Sequence, residues 1–444
     1  MTMTDMFCHK RQGTPDVGII GLGYVGLTLA IALAETGLTI LGYDSNPTVI
    51  EALSHEQVPF FEPHLQEGLQ QTLGQTFVLT AELPETLPAI VILCVGTPLY
   101  KGSHTPDFRD LEASVHAIST RVQADTLIII RSTVSVGTSR ALAQQLQQRL
   151  ETVPHVAFCP ERTIQGKALE ELHTLPQIVG GLTSSAIERA KALFARLTPY
   201  VHTVSSLEAA ETIKLICNAH TDLIYGFGNQ VALIAEALAL DARELIHYAN
   251  LHYPRPDLAR PGFVGGSCLS KDPYLLIHSV QSDPAAAALV KAARSYNESL
   301  PAYVGSRVLA ALQRLAIPLA QAKICLMGFA YKGQPETDDI RGAPTEPILA
   351  TFRGYVHLIV GHDFVVEPQR LRALEVEPLP VMDAIDQAAA VLVLNDHPRY
   401  CELTLQELTA RMHHPGVFFD AWSLFVEQEQ DCHPSVQYMR LGHG

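Results

Sequence analysis

The sequence predicts an α/β fold: two doubly wound, parallel-sheet domains joined by a central domain of long helices. Three observations predict it. Strand-like and helix-like runs alternate over residues 16–205, the pattern becomes helical over 206–305, and it returns to α/β over 306–444. Such alternation implies parallel sheets with helices on both faces. Residues 1–15 are polar, lack the apolar stretch of a signal peptide, and read as a loose tail.

The elements follow in order. "VGII" (17–20) is a short buried strand, "YVGLTLAIALAETG" (24–37) a helix ending at Gly37, and "LTILGYD" (38–44) a second strand ending in Asp44. "AIVILCVG", "TLIIIRST" and "VAFCPE" are further strands. From about residue 206 apolar residues recur at helical spacing and Ala, Leu and Glu dominate. This predicts a long helix, one of several, reaching to about residue 300. The loop "YPRPDLARPGFVGGSC" (253–268) interrupts it, being too rich in Pro and Gly for helix. A long apolar-rich helix between two α/β parts is either a homodimer interface, which is the expectation here, or an internal spacer. "AKICLMGFAYKG", "VHLIVGHD", "AAVLVLND" and "GVFFDAW" supply the strands of the last part, so the two α/β parts read as structural echoes.

Composition narrows the classes of function. The 444 residues carry a formal charge of -15, which disfavours a nucleic-acid or membrane-surface binder, since either needs a basic face. Small anionic ligands remain open, because a few local groups hold them. No apolar run reaches the roughly 20 residues that span a bilayer. The 8 cysteines form no CxxC pair or zinc-like spacing, so they read as reduced thiols of a cytoplasmic protein with no metal site. Cys94, Cys159, Cys217 and Cys325 are expected to be small buried hydrophobes.

"GLGYVG" sets Gly21, Gly23 and Gly26 in GxGxxG spacing, after a strand and at the start of a helix, with Asp44 closing the next strand. That context defines a dinucleotide-binding fingerprint, hence a Rossmann-like first domain. Gly21 permits the tight turn, Gly23 close approach to the pyrophosphate, and Gly26 close helix–strand packing. Tyr24 and Val25 complete the turn and count among the cofactor contacts. Asp44 can accept from both ribose hydroxyls and would repel a 2′-phosphate, which favours NAD over NADP. "CVGTP" and "RSTV" end two strands, placing Thr97 and Thr133 at the carboxyl rim where ligands bind; both are cofactor candidates, and Thr133 is also a catalytic one.

Four further stretches act together: "CPERTIQGKALEEL" (159–172), "ETIKLICN" (211–218), "GFVGGSCLSKD" (262–272) and "GFAYKGQPETDDIRGAP" (328–344). With them the sequence resembles the nucleotide-sugar 6-dehydrogenases, the UDP-glucose/GDP-mannose dehydrogenase family, over nearly the whole chain. The resemblance implies oxidation of C6 of a UDP-sugar from alcohol to carboxylate with two NAD in turn, and a C-terminal Rossmann-like domain that binds the UDP-sugar. Cys268 would attack the C6 aldehyde, and the resulting thiohemiacetal would be oxidised to a thioester. A free cysteine has a pKa near ~8.5, so nearby positive charge is expected to favour the thiolate. Lys214 and Asn218, spaced i and i+4, share a helix face and can stabilise the developing oxyanion. Glu161 is suited to activating water for thioester hydrolysis. Asp272 can position a water or hold Lys214. Gly265 lets backbone approach the sugar. Arg162, Arg260 and Arg341 are substrate candidates, the last two for phosphate or sugar hydroxyls. Lys332 resembles the family lysine at the junction of cofactor and substrate.

The chain departs from the pattern in places. Gln165 replaces a second glutamate, and Arg162 follows Glu161. This "PER" form looks like the branch that oxidises N-acetylated sugars, UDP-N-acetyl-D-mannosamine above all. The Lys271–Asp272 pair looks like the glucose branch, and "RPGFVGGSC" like the N-acetyl branch. Five residues separate Lys332 from Asp338, more than is common. The expected function is therefore oxidation of a UDP-N-acetylhexosamine for surface polysaccharide. UDP-glucose or UDP-N-acetylglucosamine is the alternative substrate, and a catalytically silent nucleotide-sugar sensor the alternative of another class.

Overall fold

The computed structural model describes residues 14–443, so the first 13 residues of the expected tail lie outside it. The chain forms two compact units. One comprises the residues up to Cys217 together with Tyr274–Ala286, and the other Asn218–Pro273 together with the chain from Ala287 onward. The helical middle of the sequence is thus divided between them.

The first unit is built on an eight-stranded sheet: β1 (Val17–Ile20), β2 (Ile40–Tyr43), β3 (Phe77–Thr80), β4 (Ile90–Leu93), β5 (Leu127–Ile130), β6 (His155–Phe158), β7 (Gln177–Gly181) and β8 (Val201–Thr203). The spatial order is β3-β2-β1-β4-β5-β6-β7-β8, parallel except where β7 meets β6. The order reverses direction between β1 and β4, and the carboxyl ends of those strands are where ligands bind in such sheets. Both strands are apolar, and β1 is buried throughout because helices cover both faces. The helix Tyr24–Glu35 follows β1 and buries every residue from Gly26 to Ala34.

The second unit carries a six-stranded, wholly parallel sheet: β9 (Lys323–Met327), β10 (Leu358–His362), β11 (Glu377–Pro378), β12 (Ala390–Val393), β13 (Gly416–Asp420) and β14 (Val436–Arg440). Its order, β11-β10-β9-β12-β13-β14, repeats that of the first six strands of the other sheet, as the echo between the two α/β parts anticipates. The helix Ala288–Arg314 belongs to this unit and runs past residue 305, where the last α/β part was expected to begin. It continues through Pro301 although an internal proline costs about 3 kcal/mol. Leu300, Val304, Val308 and Leu312 are buried in one core with Ile324 and Leu326 of β9 and with Ile348 and Phe352, and that packing sustains the helix.

Among the described residues no helix is long and apolar enough to cross a membrane, and no cluster of His, Cys, Asp and Glu could hold a metal ion. Cys94, Cys159 and Cys325 are buried, and burial pushes each thiol up to about 12. Cys217 corrects the expectation: it is exposed, on a helix whose adjacent Ile216 is exposed as well.

Candidate active site

In the first unit the glycine turn sits at the carboxyl end of β1. Gly21 has φ +93°, and a Cβ there would lie 2.9 Å from the Cys94 carbonyl. A Cβ on Gly26 would lie 1.8 Å from the Gly21 carbonyl oxygen, so helix and turn pack at a distance only glycine allows. Gly23 differs: nothing stands within 4 Å of its would-be Cβ. That opening lies at the start of the Tyr24–Glu35 helix, which has no side-chain cap and so presents backbone amides. Tyr24 leans on Phe60, ring centroids 4.0 Å apart, and Val25 is half-buried. Asp44 directly follows β2 and accepts the Leu22 amide at 2.7 Å and the Asn46 amide at 2.8 Å. A carboxylate has about four acceptor sites, which leaves capacity for a ribose diol. Residues and space fit NAD. We expect Gly23→Ala, whose methyl meets only open space in the fold, to keep the melting temperature while weakening NAD at least about tenfold by calorimetric titration.

The rim loops are tied to one another. The Thr97 hydroxyl donates to the Thr133 carbonyl at 2.6 Å. Arg131 of "RSTV", 1% exposed, reaches Glu161: Nη2 lies 2.8 Å and Nε 3.2 Å from Oε2. The other oxygen of Glu161 accepts the amides of Arg162 and Thr163 at 2.7 and 2.9 Å. Burial opposes the charge of Glu161, but Arg131 and the two amides outweigh it and hold the carboxyl below its ordinary value. The Arg162 guanidinium donates to the Pro176 carbonyl. Lys214 is 7% exposed on the Leu207–Ala237 helix.

Three residues not singled out from sequence shape this region. Arg131 is one. Glu62 accepts the amides of Gly166 and Ala168, both at 2.7 Å, and so pins the loop that follows Glu161. Glu211 accepts the amides of Gly137 and Ser139 at 2.6 and 2.8 Å, at the start of the Thr138–Leu150 helix. Burial pushes its carboxyl up, against the pull of those donors. A buried charge flanked by strand or helix signals was the available cue for Arg131 and Glu211. Nothing local marked Glu62.

The second unit holds the other group. Cys268 is exposed on a four-residue helical turn, Gly266–Leu269. The glycines before it pack too closely for side chains. A Cβ on Gly265 would lie 2.0 Å from the Gly342 carbonyl oxygen, and one on Gly266 would lie 2.7 Å from the Tyr331 ring. The structure therefore sets Tyr331–Lys332 and Gly342 against the cysteine turn. The Lys332 ammonium lies 5.6 Å from the Tyr331 ring centroid. Asp272 is fully buried; its carboxylate accepts from Asn218 Nδ2 at 2.5 Å and lies 3.0 Å from Lys271 Nζ. Asp396, after β12, accepts from Arg260 at 2.9 Å and from the Gly333 amide at 3.0 Å, so it links the start of the cysteine loop to the Lys332 turn. Arg260 also stacks over Trp422. Arg341 is spent differently: it clasps Asp339 through two hydrogen bonds of 2.8 Å. The longer Lys332–Asp338 segment closes on itself, the Tyr331 amide donating to the Asp339 carbonyl at 3.0 Å.

Fold and cradle define an NAD-dependent oxidoreductase of the nucleotide-sugar dehydrogenase class. The chain belongs to the UDP-glucose/GDP-mannose dehydrogenase family: residues 15–198 match its NAD binding domain, 208–299 its central domain and 325–427 its UDP binding domain. A UDP-N-acetyl-D-mannosamine dehydrogenase of Pyrococcus horikoshii is 30% identical over 435 residues, covering 96% of this chain and 99% of that one. An NDP-N-acetyl-D-galactosaminuronic acid dehydrogenase of Ralstonia nicotianae is 30% identical over 413 residues, covering 89% and 94%. The solved structure of the Pyrococcus horikoshii UDP-D-ManNAc dehydrogenase superposes with a TM-score of 0.87 at 28% identity, covering 96% and 99% of the two chains. That of a UDP-N-acetyl-mannosamine dehydrogenase from Staphylococcus aureus gives 0.80 at 28% identity, covering 96% and 98%.

Proposed function

We propose that the protein oxidises C6 of a UDP-N-acetylhexosamine, UDP-N-acetyl-D-mannosamine first, to the uronic acid, and that Cys268 carries the second oxidation. The observation that carries the reading is Cys268 itself, an exposed thiol on a turn that two glycines press against Tyr331 and Gly342. The "PER" sequence at 160–162 and the relatives named for N-acetylmannosamine support the choice of sugar.

NAD, when bound, would supply the hydride acceptor, one molecule for each of the two oxidations. The first turns the C6 alcohol into an aldehyde. The Cys268 thiolate then adds to the aldehyde carbon, and a proton goes to the carbonyl oxygen. Loss of hydride and proton from that thiohemiacetal leaves a thioester, which water cleaves to carboxylate and free thiol. Lys214 and Asn218 donate to the oxygen where negative charge develops, and Asp272 orients Asn218. Thr133 is assigned to the catalytic rim and Lys332 and Arg260 to the nucleotide sugar, while Arg341, held by Asp339, shapes the turn beside them. Glu161 is saturated by Arg131 and two amides, which supports a role in shaping the loop of Arg162 more than in taking a proton. The test is NADH formed per sugar consumed, with UDP-N-acetylmannosamine, UDP-N-acetylglucosamine and UDP-glucose in separate reactions. Two with the first sugar supports the reading; one restricts the reaction to a carbonyl product, and none with any sugar favours the silent sensor.

The enzyme works in the cytoplasm as a homodimer and serves surface polysaccharide synthesis. Phe227, Ile234 and Leu238 follow one helical face at 51%, 46% and 63% exposure, and Tyr248 on the next helix is 65% exposed. We expect sedimentation to give twice the 48.4 kDa chain mass and Phe227→Asp to give the monomer. A wild-type monomer rejects the dimer.

A further inference from the structure

The turn that bears Cys268 is too short to hold its own shape. One helical turn is an unfavourable nucleus, and its terminal carbonyls have no partners within it. Ser270 and Lys271, next in the chain, take the Gly266 and Cys268 carbonyls, and the partner of the Leu269 carbonyl comes from the second unit's long helix. Arg294 is 1% exposed, and its Nη1 donates to the Leu269 carbonyl at 2.8 Å while Nη2 donates to the Val264 carbonyl at 3.2 Å. These carbonyls lie on either side of Gly265–Cys268, so one planar guanidinium spans the segment that carries the thiol.

The guanidinium is itself fixed. Nη1 also donates to Asp222 Oδ1 at 2.7 Å, and Asp222 is fully buried. Asn297 donates to the Asp222 carboxylate and carbonyl, both at 2.9 Å. Asn229 donates to Asn297 at 3.1 Å and accepts the Gly262 amide at 2.8 Å. The loop is thus held at Gly262, Val264 and Leu269 by one buried polar network. Stability alone does not account for it: apolar side chains of similar volume commonly replace a buried ion pair without loss. Among the described residues, Asp222 even keeps one oxygen, Oδ2, without a hydrogen-bond partner.

We propose that Arg294, braced by Asp222, is a positioning residue that sets the Cys268 thiol for attack on the C6 aldehyde. The proposal rests on the assignment of Cys268 as nucleophile. Arg294→Lys keeps the charge and loses the planar fork. Arg294→Met with Asp222→Leu removes both charges and leaves no unpaired ion in the core. The double variant is expected to fold but to melt some degrees below the wild type, because the Val264 and Leu269 carbonyls lose their donor, with kcat lowered on the order of 100-fold, as for a reacting group displaced by about 1 Å. The KM for NAD should not change, and amide exchange over 262–270 should quicken. Arg294→Lys should fall between the two. A folded double variant with wild-type kcat and wild-type exchange overturns the proposal. If it does not fold, Arg294→Lys decides: lowered kcat at unchanged KM for NAD supports positioning, and wild-type kcat rejects it. Full turnover by Cys268→Ala defeats the thioester reading instead, and the exchange measurement still reports whether Arg294 orders the loop.

Discussion

Cys268→Ala is expected to lower steady-state oxidation of the nucleotide sugar by about three orders of magnitude, about 4 kcal/mol of transition-state stabilisation. The side chain is exposed and packs in no core, so the variant should fold and melt as the wild type does. NAD affinity should also be unchanged, because Gly21, Gly23, Gly26 and Asp44 are untouched. What disappears is the covalent route from aldehyde to thioester. A single turnover should then yield at most one NADH per enzyme, with aldehyde as the product. Stopped-flow absorbance of NADH and mass analysis of the sugar read both. Wild-type turnover, or two NADH per sugar from the variant, eliminates the thiol mechanism.

Glu161→Gln should have the largest effect on stability. It leaves the Arg131 guanidinium, whose side chain is 0% exposed, without its counter-charge. Breaking a buried pair on one side costs about 3–5 kcal/mol, or a fall in melting temperature of roughly 6–20 °C for a unit of this size. The pH dependence has a defined sign. The folded state holds the Glu161 carboxyl below its ordinary value of 4.5, so its contribution is complete above pH 4.5 and is lost as pH falls through the lower folded value. Wild-type stability should therefore drop in that acid window, and the variant's curve should be flatter there. A variant with unchanged melting temperature and the same acid slope shows that the pair contributes nothing net. A kcat lowered more than this loss of folding explains returns Glu161 to the role of base.

Much of the architecture was legible because its signals are local. Central strands such as Ile90–Leu93 and Leu127–Ile130 are continuous apolar runs, a consequence of burial on both faces. The short strands at or near the sheet edges escaped notice. Val201–Thr203 is largely exposed and Glu377–Pro378 is two residues long, so neither carries an apolar signature. The boundary expected at residue 305 falls inside the helix Ala288–Arg314 for a related reason. Periodicity marks a helix, but the core it enters decides where it ends, and Val308 and Leu312 commit this one to the C-terminal sheet.

The sequence by itself determined the cofactor cradle, the glycine turn that carries Cys268 and the family: the first two rest on residues close together in the chain, and the third on several such stretches in a fixed order. GxGxxG followed by Asp44 admits a pyrophosphate and a ribose, and "GGSC" leaves no room for side chains before the thiol. Only the tertiary structure decided what holds those groups in place. Arg131 meets Glu161 across 30 residues of chain, Glu62 reaches Gly166 across 104, and Arg294 reaches Asp222 across 72. A buried charge must find its partner wherever the fold brings one, and a spacing set by packing leaves no periodic trace in the sequence.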